Sequence, residues 1–357
     1  MGIGFGRQLP KRQTSFDLER QIKAGRRRRV VNVFYLKNGF FGTIVVIALS
    51  ISLFTGAAAQ KTGAAAQKAA KNAPKGKAVL WETVNVARQD LFHGPGGRKM
   101  APNIDTITFI KAEKGGYNKK YRIKDASGRI WVAKPGREAQ SETAAVRLLA
   151  ALGYKTEINY LAPRLTIPGI GTFENVRLEA RSENIKRLDR WTWDENPFSG
   201  TDELQGLKIM MALFNNWDLK TGNNIILQNG DEHYYVISDL GATFGKVGSN
   251  SLPIFWRLGR SINKPESYSK SDFIKRIEDG NIEFTFRGKS DKIFDRISRS
   301  NGRWLSKLLI QLRDAQIEDA FRAANHSAAD IATYTSAVKN RIRELENAVG
   351  DKKLASR

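Results

Sequence analysis

The chain has 357 residues, no cysteine and three histidines, which excludes disulfides and thiolate metal sites and leaves few candidates for a histidine-rich metal centre. Lys and Arg number 59 against 36 Asp and Glu, a formal net charge of +23. Such an excess favours anionic partners, among them nucleotide phosphates, an anionic membrane surface and nucleic acid, without choosing between them. The length suffices for one two-lobed domain or two small ones.

Residues 1–39 are polar and basic and include Arg26-Arg27-Arg28-Arg29; Phe40 to Phe54 is an uncharged apolar run, followed by Ala57-Ala58-Ala59. A basic flank, a short apolar stretch and a small-residue site form the layout of a secretory signal. Residues 1–60 are therefore expected to be a signal peptide or signal anchor, and the protein to be exported to the periplasm, the cell envelope or the medium. The apolar run is shorter than the roughly 20 residues that a full membrane span requires. Residues 61–103 read as a linker and N-terminal extension. GAAAQK occurs at Gly56 and again at Gly63 in an Ala/Lys/Gln-rich stretch, and Gly94-Pro95-Gly96-Gly97 breaks the chain before a packed domain begins near Ile104.

Three β-prone runs follow: Ile107 to Ile110, Tyr121 to Lys124, and Arg129 to Lys134, with Asp125-Ala126-Ser127-Gly128 as the turn between the last two. Between the first two lies the basic loop Lys114-Gly115-Gly116-Tyr117-Asn118-Lys119-Lys120. Its glycines would let backbone N–H groups approach phosphates; taken alone it is an ordinary hairpin loop. Lys134 closes the third run. Ser141 to Tyr154 has helical character, with Ser141 as cap and Gly153 at its end. Glu142, in the first turn, is a candidate ion-pair partner for Lys134, with Glu138 as competitor; it also reads as compensation of the helix dipole. Tyr160 to Phe173 is Pro/Gly-rich, and Val176 to Ala180 reads as a strand. The aromatic loop Trp191 to Phe198 is either packing, the more ordinary outcome, or an acceptor platform. Trp217 reads as core.

Thr201-Asp202-Glu203 starts a helix in which Leu204, Leu207, Met210, Met211 and Phe214 recur at helical spacing, so it should end near Asn215. The stretch Leu213 to Lys246 then holds Asp218-Leu219-Lys220-Thr221-Gly222-Asn223, two short β-prone runs around Asn229-Gly230, and Asp239-Leu240-Gly241. Asn-Gly between such runs is a strong hairpin signal. As chemistry, this is a carboxylate, a cation two residues on, an amide five residues on, and a second carboxylate just past a strand. Phosphoryl transfer from a metal–nucleotide uses such a set. Asp218 would orient or deprotonate the acceptor hydroxyl, Lys220 would sit near the transferred phosphate, and Asn223 and Asp239 would hold the metal. Either Asp alone reads as a cap; their order and spacing together make the signal specific. Beyond a basic loop from Lys246 to Arg260, helical periodicity returns in Asp291–Arg303 and Leu305–Ala324. It returns again in Ile331–Val349, where Arg341, Arg343, Glu344 and Glu346 read as a solvated face.

From about Ile104 to Val349 the chain resembles the atypical kinase-like proteins. It is most similar to a bacterial exported kinase-like family and more distantly to HipA-type and secretory-pathway kinases. The Gly115-Gly116 loop, Trp131-Val132-Ala133-Lys134, Ser141-Glu142, Asn216-Trp217-Asp218-Leu219-Lys220-Thr221-Gly222-Asn223 and Ser238-Asp239-Leu240-Gly241 carry the resemblance. It implies an α+β, two-lobed protein-kinase-like fold, with a β-rich lobe over 104–185, a mostly helical lobe over 186–350, and ATP with Mg2+ (or Mn2+) between them. Carried across, Asp218 is the catalytic residue with Lys220 beside it, and Asn223 and Asp239 are the metal ligands. Lys134 holds the nucleotide phosphates with Glu142 as its partner, and Gly115 and Gly116 cover them. There are departures. Asn216-Trp217 stands where His-Arg is usual, Leu240 where Phe is usual, and the interval from Lys134 to Glu142 is short.

The activity expected is ATP-dependent phosphoryl transfer to a hydroxyl of a protein or small molecule. The alternatives are a non-catalytic nucleotide-binding pseudokinase or envelope scaffold, and adenylyl transfer with the nucleotide reversed. A nucleic-acid partner is disfavoured, because no zinc spacing, helix-turn-helix or aromatic RNA signature accompanies the charge.

Overall fold

The computed structural model describes residues 76–114, 119–182, 184–248, 259–286 and 290–350, all within the unit spanning residues 57–357. The expected signal or anchor over 1–60, Gly115 and Gly116, and most of the 246–260 loop lie outside the described residues. Among the described residues, no helix is long and apolar enough to cross a membrane.

A short strand, β1 (Lys77–Val79), leads into a strap of three single-turn 3-10 segments, Val86–Arg88, Gly94–Gly96 and Arg98–Met100. The three β-prone runs become β2 (Thr108–Glu113), β3 (Lys120–Lys124) and β4 (Ile130–Pro135). After helix α1 (Ala139–Ala151), the Pro/Gly-rich segment proves to be strand β5 (Asn159–Ile167) turning into β6 (Gly171–Ala180). The five strands form one antiparallel sheet in the order β2-β3-β4-β6-β5.

The period-2 alternation of this sheet sorts its residues onto two different faces. Ile123, Trp131, Ala133, Val176 and Leu178 share one apolar core. The intervening positions of β4 and β6 carry Val132, Lys134, Arg177 and Glu179, with Lys134 registered opposite Arg177 and Val132 opposite Glu179. One face of the sheet is therefore apolar packing and the other carries charge.

The rest of the chain supplies β7 (Ile185–Arg190), α2 (Asp202–Leu213), β8 (Asn224–Asn229) and β9 (Glu232–Ile237). Strands β1, β9, β8 and β7 form a second sheet in that order, with β1 parallel to β9. Then come α3 (Pro265–Ser269), the hairpin β10 (Ile274–Glu278) and β11 (Asn281–Phe284), and helices α4 (Arg299–Leu309), α5 (Asp314–Arg322) and α6 (Ala328–Val349). Helix α2 begins where its sequence signals it should: Thr201 is the N-cap and its hydroxyl accepts from the Leu204 N–H at 3.2 Å. A single large core runs from Leu80, Val86 and Leu91 of the strap through α1 and α2 to α6. The result is a mixed α and β fold in which a sheet-rich region is followed by helices.

Two local expectations are corrected, and a third is decided in favour of its more ordinary reading. Ser141 is not the cap of α1. Glu138 takes that position, and Ser141 lies inside the first turn, where its hydroxyl donates to the Gly241 carbonyl at 2.8 Å. Arg341 does not belong to a solvated face: it is buried, and its guanidinium donates to the Leu213 carbonyl at 2.8 Å and to Asn215 Oδ1 at 2.9 Å, satisfying the C-terminus of α2. Trp191 and Trp193 are both buried and pack on each other with centroids 5.1 Å apart, as core rather than an exposed platform.

Candidate active site

The hairpin sets the geometry. Asn224 pairs with Ile237 and Asn229 with Glu232, and Gly230 takes the positive φ of 60° that the two-residue turn demands. Arms of equal length bring their feet together: the Ser238 N–H donates to the Asn223 carbonyl at 2.7 Å. Asp239, one residue on, therefore emerges beside the loop that carries Asp218.

That loop is held from several sides. Asn215, at a φ of 55°, turns the chain off α2, and its amide donates to the Gly245 carbonyl at 2.7 Å. Buried Asn216 accepts from the Asp218 N–H at 3.1 Å, and the Leu219 carbonyl accepts from Trp193 Nε1 at 3.2 Å. The Asp218 side chain stays 29% exposed. Its Oδ2 accepts from Lys220 Nζ at 2.7 Å and from Asn223 Nδ2 at 3.2 Å, and Asn223 Nδ2 also donates to the Asp218 carbonyl at 2.7 Å. These bonds turn the amide oxygen of Asn223 away from Asp218.

The Asp239-Leu240-Gly241 turn rests on the first turn of α1. Asp239 Oδ1 accepts from the Gly241 N–H at 3.3 Å, and Leu240 is buried in the large core. A Cβ on Gly241 would stand 2.7 Å from Cβ of Glu138. The close approach of this turn to α1 is therefore what requires glycine.

On the charged face of the five-stranded sheet, Lys134 Nζ meets Glu179 Oε2 at 2.7 Å. Arg177 Nη2 donates to the same oxygen at 2.7 Å, and its Nη1 lies 2.9 Å from Glu142 Oε1. Arg187 Nη2 donates to Glu179 Oε1 at 2.8 Å, and Arg181 pairs with that oxygen too. The expected partnership of Lys134 with Glu142 is thus replaced. Arg177, registered opposite Lys134, takes the Glu142 carboxylate, and Glu179, two residues along the same face, takes both cations. Glu142 acts on Lys134 from one ion pair further away.

Burial dominates the electrostatics of this cluster. It pushes the Glu142 carboxyl up to about 8, against the opposing pull of Arg177 and Lys134. Burial acts the same way on Glu179. There Lys134, Arg177, Arg181 and Arg187 together outweigh it and hold the carboxyl well below its ordinary range. A second lysine joins the group. The register of β3 against β4, with Tyr121 opposite Ala133, brings Lys120 beside Lys134, and burial and then the Lys134 charge lower the Lys120 pKa.

Asp239 links the two halves. Its charge acts on Lys120, Glu142 and Arg177 of the sheet side and on Lys220 of the loop side. The Lys220 ammonium is favoured first by its hydrogen bond to Asp218, against partial desolvation, and also by Asp239. The structure thus brings Asp218, Lys220, Asn223, Asp239, Lys134 and Glu142 into one charged neighbourhood. Lys120, Arg177 and Glu179 were missed from sequence. The signal that could have found them was the alternation of charge with apolar residues in Val176-Arg177-Leu178-Glu179-Ala180, matched to Trp131-Val132-Ala133-Lys134.

Among the described residues, no three Asp, Glu, His or Cys are grouped to hold a metal ion. The donor set beside Asp218 is one carboxylate, Asp239, and one amide oxygen, Asn223. Both are hard oxygen donors that suit Mg2+ or Mn2+, and two protein ligands are what such an ion accepts when substrate phosphates complete its shell. The residues therefore fit the group. Two cavities lie away from these residues. One of about 750 Å3 is bordered by Glu278, Phe284 and Phe294, and one of about 270 Å3 is bordered by Arg147 and Tyr154.

No protein-family model matches the chain, and no curated protein matches it. Among solved structures it is similar to the Helicobacter pylori proinflammatory kinase CtkA, at 13% identity and a TM-score of 0.42, over 69% of this chain and 95% of that one. It is also similar to the Golgi casein kinase, at 10% identity and a TM-score of 0.37, over 70% of this chain and 73% of that one. The same kinase with Mn/ADP bound gives a TM-score of 0.38. At these scores the functional reading rests on the residues of the site themselves.

Proposed function

We propose that this chain is a kinase-like phosphotransferase that moves the terminal phosphoryl group of ATP to a hydroxyl of a protein or small molecule. The observation that carries the reading is the position of Asp239. One carboxylate acts both on the Lys120–Arg177 side and on the Lys220–Asp218 side. A phosphate chain lying between these sides would meet cations at both ends.

In this reading Lys134, anchored by Glu179, and Lys120 beside it offer positive charge to the non-transferred phosphates. Asp218 receives the proton of the acceptor hydroxyl as its oxygen bonds to phosphorus and the bond from phosphorus to the bridging oxygen breaks, with ADP leaving. Lys220, 2.7 Å from Asp218, steadies the carboxylate and balances charge on the transferred group. Asn223 and Asp239 are the residues that would hold a divalent cation. When bound, that ion would neutralise charge on the phosphates. The basic and apolar composition of residues 1–60 supports export, which places the reaction outside the cytoplasm in this proposal.

The test is transfer of labelled phosphate from ATP with Mg2+ or Mn2+, alongside calorimetric ATP binding. Asp218→Ala should bind ATP and lose transfer by about 10²–10⁴-fold, the usual contribution of a general base. Lys134→Ala should lose binding. Equal transfer by wild type and Asp218→Ala overturns the proposal. Binding without turnover in the wild type points to the non-catalytic alternative, and addition of the whole nucleotide monophosphate to the acceptor points to adenylyl transfer.

A further inference from the structure

The cavity of about 270 Å3 lies between the N-terminal strap and the C-terminal half of α1. Its lining includes Glu82, Leu91, Arg147, Lys155, Thr156 and Tyr234. Arg147 is the unusual member. It is 2% exposed, yet among the described residues it forms no ion pair with a carboxylate. Its Nε donates to the Phe92 carbonyl at 3.3 Å, and Nη1 donates to the Thr143 carbonyl at 3.3 Å and to Asn159 Oδ1 at 3.1 Å. A guanidinium carries five N–H donors. The two on Nη2 have no partner among the described residues.

The other charges around the cavity have nearer partners. Lys155 Nζ is 2.7 Å from Glu82 Oε2, and Asp90 Oδ2 is 2.7 Å from His93 Nδ1. Asp90 reaches Arg147 only as a longer-range charge, and burial pushes the Arg147 pKa down to about 10, which leaves it charged at neutral pH. Arg147 Cζ also lies 5.8 Å from the centroid of the Tyr160 ring, which stabilises the cation without supplying a negative charge, so the guanidinium can still gain from an anion. Leu91, Ile158 and the rings of Tyr154 and Tyr234 supply apolar surface to a lining that also includes Gln89, Asp90 and the Glu82–Lys155 pair.

We propose that this cavity is a binding site for a small organic anion, a carboxylate or phosphate monoester head on an apolar body, with the Arg147 guanidinium as its anchor. The volume is at the lower edge of ligand pockets, which commonly begin near about 300 Å3, so the body is about the size of one aromatic ring. The site stands apart from the Asp218–Asp239 neighbourhood and does not depend on how that neighbourhood is read.

Calorimetric titration of the full chain tests it, with benzoate and phenyl phosphate as the two anion probes and benzamide as the neutral one. One or both anions should bind once per chain, with benzamide at least tenfold weaker, in keeping with the strength of a charge-assisted hydrogen bond. The stronger anion identifies the head group. Ala150→Phe, which fills the cavity and leaves Arg147 in place, should weaken the anion at least tenfold, as should Arg147→Met. Lys134→Ala should bind benzoate as the wild type does, which separates this cavity from the candidate active site. Absence of binding by both anions at concentrations on the order of 10 mM, equal binding of benzamide, or undiminished binding by Ala150→Phe would each overturn the proposal. If Arg147→Met does not fold, Ala150→Phe and the benzamide comparison decide.

Discussion

The two sides of the candidate active site are built from the same kinds of charge in opposite surroundings. On the sheet side, Glu179 and Arg177 have essentially no exposure, and each is held by several partners. On the loop side, Asp218 is 29% and Lys220 62% exposed, joined by a single pair. Buried charges are expensive to desolvate and cannot move without leaving a partner unpaired, so the sheet side is suited to holding a fixed arrangement. Exposed charges cost little to keep and are free to change partner when a substrate arrives. Under the proposed function, the contrast suits the sheet to positioning and the loop to contact with the acceptor.

The largest expected effect falls on the sheet side. Glu179→Ala leaves Lys134, Arg177, Arg181 and Arg187 without their shared carboxylate and should cost about 3–5 kcal/mol of stability, measured by chemical denaturation. A loss below about 1 kcal/mol would break the distinction between the two sides. The counterpart on the loop side is Asp218→Asn. Phosphoryl transfer should fall by about 10²–10⁴-fold while unfolding free energy changes by less than about 1 kcal/mol. A large drop in stability with unchanged transfer would reverse the assignment.

The junction between the sides comes next. Gly241→Ala would push a methyl group against Cβ of Glu138, 2.7 Å away, and should destabilise by about 1–3 kcal/mol through overpacking, with a lower melting temperature as the readout. A pH dependence completes the set, read as a slope rather than as a single step. The folded state holds Glu142 with its pKa raised from 4.5 to about 8. Between those values the folded chain binds more proton at this site than the unfolded chain does. The stability it contributes is therefore full below about pH 4.5 and is lost as pH rises towards 8, at up to about 1.4 kcal/mol per pH unit. Glu142→Gln should remove that slope; denaturation at pH 6 and pH 8 in both proteins measures it. Glu179 is held below this window by its cations, whereas burial also raises the Glu157 carboxyl, whose slope of the same sign remains in Glu142→Gln.

Much of the loop side was legible in the sequence because its geometry is local. Thr201 starts a helix, the Asn229-Gly230 signal marks a hairpin whose turn is Gly230-Asp231, and hairpin arms of equal length bring Asn223 and Ser238, next to Asp239, together whatever the rest of the chain does. The Asp218–Lys220–Asn223 spacing could be read directly for the same reason. The sheet side was legible only in part. The strand ending in Lys134 and the helix bearing Glu142 were visible, but the partnership between them was not. It depends on which strand lies next to β4, and β6 reaches that place from more than forty residues away.

The sequence by itself determined the helix that precedes Asp218, the hairpin between the two aspartates, the strand that ends in Lys134 and the excess of positive charge. These follow from spacing, turn chemistry and composition over a few residues at a time. Tertiary structure alone decided that Glu179 rather than Glu142 holds Lys134, that Lys120 and Arg177 join the cluster, that Arg341 is buried against the end of α2, and that Arg147 faces a cavity without a counter-ion. Those outcomes are set by strand order and by desolvation. A buried charge selects its partner from whatever the fold brings within a few ångströms, and sequence distance has no bearing on that choice.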